Sequence, residues 1–300
     1  MVRALGVAAA VIGLIVGSLF VVVAAFTGIS TSSGERFFNC QCDSAIGPDT
    51  SVTTTSTPNS TVCDSEDEWD PSDVPTTNPY ASMTVAPDDT EASQYHRDCL
   101  SAMESAPLQT PASRKPNTGF AVECARRLAL AQVGTFAYES ESAPAQMTRD
   151  VLYEASAASS TGHCSLPAGG GGPGREGTTP PTAHYDSTVP TGSCAHSTDQ
   201  KIVDLPNTIA EQGLCGQRVH LDAVSPGDLI FWDYRDHAPT RVGIAVEWTC
   251  AAADPVAAEC TAVARPRVVA ADPSTGRFEV LDLPVDGDAR AKRVLAGVEN

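Results

Sequence analysis

The chain has 300 residues, is 42% hydrophobic and carries a formal net charge of −18 at neutral pH. That charge excludes nucleic acid as a partner, because a phosphate backbone needs a basic surface, and it excludes charge-driven docking on anionic lipid. Residues 35–100 hold thirteen acidic side chains against Arg36 and Arg97, so more than half of the imbalance sits in one segment.

In chain order, the first element is apolar. No side chain between Ala4 and Gly34 is charged, and Leu5–Phe26 is almost continuously hydrophobic. A bilayer-crossing helix needs about 20 such residues. Arg3 precedes the run, which places the short tail in the cytosol and the remainder outside. The run is longer than the roughly 7–15 residues of a signal-peptide core, and Ala24-Ala25-Phe26 is a poor cleavage site. Residues 1–34 therefore read as a single-pass anchor in the cell membrane; the alternative is a cleaved signal and a secreted chain.

Residues 35–117 read as an acidic, Ser/Thr/Pro-rich extracytoplasmic linker. The tract PDTSVTTTSTPNSTV at 48–62 has little to bury, and DSEDEWDPSD at 64–73 reads as a self-repelling solvated spacer. A short helix is expected over 91–106. Residues 118–300 then form an α+β domain, because helical patterns come first and antiparallel strands follow. Ala121, Val122, Ala125, Leu128 and Ala129 fall on one face of a helix over Phe120–Val133, which Gly134 ends. A second helix is expected over Ala145–Ala158. Residues 160–200, rich in Gly and Pro, read as a loop insertion. Strands are expected at 228–233, 241–248, 261–271 and 277–282.

Ten cysteines in an exported chain read as disulfides. Cys250 and Cys260 bracket a turn-like segment, and Cys164 and Cys194 bracket the glycine-rich loop, so each pair is a disulfide candidate. Zinc is the rival use of cysteine, but Cys40-x-Cys42 and His163-Cys164 lack paired structural-zinc spacing. Neither metal nor cofactor is expected.

The most informative stretch is SPGDLIFWDYRDHAPTRVGIAVE at 225–247. Pro226-Gly227-Asp228 is a turn leading into Leu229–Trp232, and Val242–Val246 is a second apolar strand. Upstream lie AVECARRLALAQVGTFAY and DLPNTIAEQG, and downstream lies VVAADPSTGRFEV. In that order, over residues 118–285, these segments resemble the NlpC-type cell-wall cysteine peptidases, which are papain-like enzymes that cleave peptidoglycan stem peptides. The resemblance implies a papain-like domain with helices packed on an antiparallel sheet. It also implies a triad: a cysteine at a helix N-terminus, a histidine opening the second strand, and a polar group orienting that histidine. The matching positions here are Val151, preceded by Asp150, then Arg241, then Ala271. A valine cannot attack a carbonyl, and a guanidinium stays protonated and cannot accept a proton.

The resemblance thus implies a membrane-anchored envelope protein with an inactive peptidase domain. Asp150, Trp232, Arg241 and Asp272 would line its groove, and its partners would be peptidoglycan stem peptides or envelope proteins, as in a conjugation or secretion apparatus. The alternative is an active endopeptidase with a relocated pair, Cys164 and His237.

Overall fold

A computed structural model describes residues 32–49, 78–90, 92–110, 112–137, 143–164, 202–249, 265–283 and 288–295. The chain divides into two compact units, Met1–Cys40 and Gln41–Asn300. Residues 1–31 of the expected anchor and the tract 50–77 lie outside the described residues, among which no helix is long and apolar enough to cross a membrane.

The helices are α1 (Ser32–Ile46), α2 (Gln94–Met103), α3 (Phe120–Leu130), α4 (Ala143–Thr161) and α5 (Ile209–Gly213). The strands are β1 (Gln217–Val219), β2 (Leu229–Arg235), β3 (Ala238–Thr249), β4 (Arg265–Asp272), β5 (Arg277–Asp282) and β6 (Arg290–Arg293). The strands form one antiparallel sheet in the order β1-β6-β2-β3-β4-β5. The class is α+β, with the helices preceding the strands.

Both faces of the sheet are covered, which explains why β2 opens as an unbroken apolar run and not an alternating one. Leu229, Phe231, Val242, Ile244 and Val269 point to the first face, where they pack with Leu128 of α3 and Val151 and Leu152 of α4. Ile230, Trp232, Ala245, Val268 and Ala270 point to the second face and pack with Val219, Val224, Leu283 and Ala291. Asp233 interrupts the pattern. Its φ is +56°, and beyond it Tyr234 joins the first-face core.

The compact domain starts well before residue 118. Cys42, Ala45 and Ile46 of α1 are buried, as are Tyr95, Cys99, Leu100 and Met103 of α2. Cys42 and Cys99 form a disulfide. Gln41 makes a two-way amide pair with the backbone of Gln109, each bond 2.8 Å. The Tyr95 hydroxyl donates to Gly47 O at 2.9 Å. Gly47 sits at φ +82° against the Tyr234 ring, where a Cβ would lie 2.3 Å from a ring carbon, so only glycine fits. Residues 41–49 and 92–110, expected as linker, are therefore structural parts of the domain. The short helix expected over 91–106 is α2. The Ser93 side chain caps it by accepting from His96 N.

Two strands carry no aliphatic signature, β1 and β6. Lys292 pairs with both Leu229 and Arg218, and Arg290 pairs with Phe231. All three cations thus sit on the first face, and all are buried. Asp43 of α1 covers them. Its carboxylate accepts from Arg290 Nε at 2.9 Å and from Arg218 Nη1 at 2.9 Å.

Candidate functional site

The Pro226-Gly227-Asp228 turn is built into the sheet. Gly227 N donates to Ala245 O, and Ala245 N donates to Asp228 O, each at 2.9 Å. The Asp228 carboxylate is fully buried. It accepts from Ser225 N at 2.8 Å and from Arg293 Nε and Nη2 at 2.9 and 2.8 Å. Burial raises its pKa above the usual carboxylate range, with Arg293 and the Ser225 N–H acting in the opposite direction. This aspartate locks the turn to β6 and does not face a groove.

The hairpin sets Trp232 directly across from Arg241. Arg241 lies two residues before Gly243 and Asp272 two residues after Ala270, the partner of Gly243, and Asp272 pairs with Arg277. By strand alternation Trp232, Arg241 and Asp272 therefore belong to the second face. The Arg241 guanidinium carbon lies 5.0 Å from the Trp232 ring centroid. Its Nη2 donates to Ala271 O at 2.8 Å. The Asp272 carboxylate turns the other way: its Oδ1 accepts from Ser274 N and Ser274 Oγ, both at 2.8 Å. Those bonds, with a smaller effect from Arg241, hold the exposed Asp272 carboxyl below its usual range.

Asp150 and Val151 are not part of this group. Val151 is buried in the first-face core. It also lies in the middle of α4, which begins at Ala143, so the position matched to the nucleophile lacks the helix-terminal field that lowers a thiol pKa. Asp150 is partly buried on the same helix. Its charge, after burial, helps raise the Glu154 carboxyl.

The start of α4 is fastened from the segment DLPNTIAEQG. Gln212, fully buried, donates to Ala145 O and Pro206 O, each at 2.8 Å. Thr148 Oγ1 sits 2.7 Å from Gln212 Oε1 and 2.8 Å from Ala145 O. Gln212 is the penultimate residue of DLPNTIAEQG, whose resemblance to the family was the available signal. Thr208 caps the head of α5: its Oγ1 accepts from Glu211 N at 3.2 Å and donates to Glu211 Oε2 at 2.8 Å.

The relocated pair is not assembled. Cys164 is bonded to Cys124 of α3, which corrects the expected Cys164–Cys194 bridge and leaves Cys164 no thiol. The two cysteines meet because α3 and α4 pack together in the first-face core, where Cys124 is 1% exposed. Cys194 and the Cys250–Cys260 pair lie outside the described residues. Cys40 and Cys215 are also disulfide-bonded, and no described cysteine is free. His237 closes the β2–β3 turn at φ +60°, following Asp236 at +48°. Its Nδ1 is 2.8 Å from Asp98 Oδ2, and its ring meets Tyr95 edge-on at 5.2 Å. The histidine therefore ties the hairpin tip to α2.

Comparison with family models, with curated proteins and with solved structures finds no match.

Proposed function

We propose that this is a membrane-anchored cell-envelope protein whose NlpC-like, papain-related domain no longer cleaves peptide bonds and instead binds peptidoglycan stem peptides. The observation that carries this reading is Arg241. It stands where the resemblance calls for the histidine base, with its guanidinium over the Trp232 ring and bonded to Ala271 O. A guanidinium cannot act as a base, but a fixed one recognises carboxylates. The α+β order, the PGD turn and the hairpin register support the same relationship. A role in envelope or secretion-apparatus assembly is compatible with that binding and would use the same domain as a docking module.

The test is a pair of assays on the purified protein. It should be retained on insoluble peptidoglycan, and it should release no new products from muropeptides under oxidising or mildly reducing conditions. Product release, abolished by Cys164→Ser, would overturn the binding-only reading. Loss of retention, with no hydrolysis, would leave protein partners as the ligand.

A further inference from the structure

We propose that Arg241 is a receptor for the carboxylate of a peptide ligand, with Trp232 as its platform. The inference rests on the peptidoglycan-binding reading and specifies which group of the ligand is recognised.

Three observations converge. First, the guanidinium is preorganised. Its central carbon lies over the Trp232 ring, 5.0 Å from the centroid, and one nitrogen is fixed on Ala271 O, so little side-chain freedom remains to be lost on binding. Second, it makes no ion pair within 4.0 Å with any described residue, although an acid lies on the same face of the neighbouring strand. Asp272 is diverted to Ser274, and its nearness is felt only as a weak field effect. An arginine placed only to neutralise a neighbour would be paired with it. Third, the residue is only partly buried, and its remaining N–H groups form the planar fork that matches a carboxylate. Trp232 is 4% exposed and held in the second-face core, which keeps the platform rigid.

The probe is L-alanyl-D-glutamate amidated at its γ-carboxyl, as a stem peptide bond would leave it, with the α-carboxylate free; it is compared with the same dipeptide amidated at both carboxyls. Binding to the full-length protein is followed by the indole resonance of Trp232, assigned by its disappearance in Trp232→Phe. The free acid is expected to shift that resonance, and the amide is expected to bind at least about tenfold more weakly, as for loss of a charge-assisted hydrogen bond. Arg241→Gln should abolish the difference between the two probes, whereas Arg241→Lys should retain part of it as a point charge without a fork. Because the acid–amide comparison is made on the unaltered protein, a poorly folded variant does not compromise it. Equal binding of acid and amide, or no binding of either while the protein is still retained on peptidoglycan, overturns the carboxylate receptor and leaves the wider reading standing. No dipeptide binding together with no retention overturns both.

Discussion

Lys292 shows at the scale of one residue how an unusual environment becomes a measurable property. Its side chain is fully buried, and its Nζ has no hydrogen-bond partner. Burial first, then Arg218 and Arg290, push the amine down to about 7, while Asp43 opposes them. In the unfolded chain the amine stays protonated up to its ordinary 10.5. Between those two values the unfolded state binds one more proton, so this group makes stability rise as pH climbs from 7 towards 10.5 and contributes no slope below about 7. Urea midpoints measured at pH 7, 8 and 9, below the range in which the buried Tyr95 and Tyr234 would ionise, should therefore increase. Lys292→Met should remove most of that slope and raise the midpoint at pH 7, because an apolar side chain of similar length needs no partner. An unchanged slope in Lys292→Met would show that the proton is taken up elsewhere.

At the scale of elements, the contact that holds the candidate site in place is the clamp between the PGD turn and β6. Arg293 holds both oxygens of Asp228, and it also donates to Lys115 O at 2.8 Å. One side chain thus joins the turn before β2, the last strand and the segment before α3. Removing only the cation leaves a buried, unpaired carboxylate. Arg293→Met is expected to destabilise the domain by about 3–5 kcal/mol, read as a fall in the urea midpoint. Asp228→Asn combined with Arg293→Met should recover much of that loss, since the stranded charge is gone. If the double variant is as unstable as the sum of the two single changes, Asp228 and Arg293 do not act as a pair.

For the whole molecule, the legible parts of the sequence were those where one local signal suffices. The strands at 229–235 and 238–249 follow from aliphatic runs and a turn, and their register places Trp232 beside Arg241. The helix at 120–130 follows from periodicity but stops short of the expected Val133, and the second expected helix is present at 143–161, starting slightly earlier than Ala145. What escaped depended on distant residues. The sequence Arg290-Ala291-Lys292-Arg293 reads as exposed, yet it is an interior strand, because Asp43 and Asp228 supply its counter-charges from 247 and 65 residues away. The domain start was hidden by the polar surroundings of α1, although Cys42, Ala45 and Ile46 fall at helical spacing and all are buried. Asp150, expected in the groove, and Val151, at the position matched to the nucleophile, lie apart from the Trp232–Arg241 pair because α4 begins at Ala143 and is fastened there by Gln212, a contact 67 residues apart in the chain.

The Cys42–Cys99 bond has a consequence for how this chain would behave once cut. It closes a loop of 57 residues that contains the whole acidic tract. A protease nick at a single site between 50 and 77 would produce two polypeptides that still migrate together on a non-reducing gel and separate only after a reductant is added. Two bands without reductant would show that the bond is not formed. Clipping the chain there would leave the two pieces joined by this one bond.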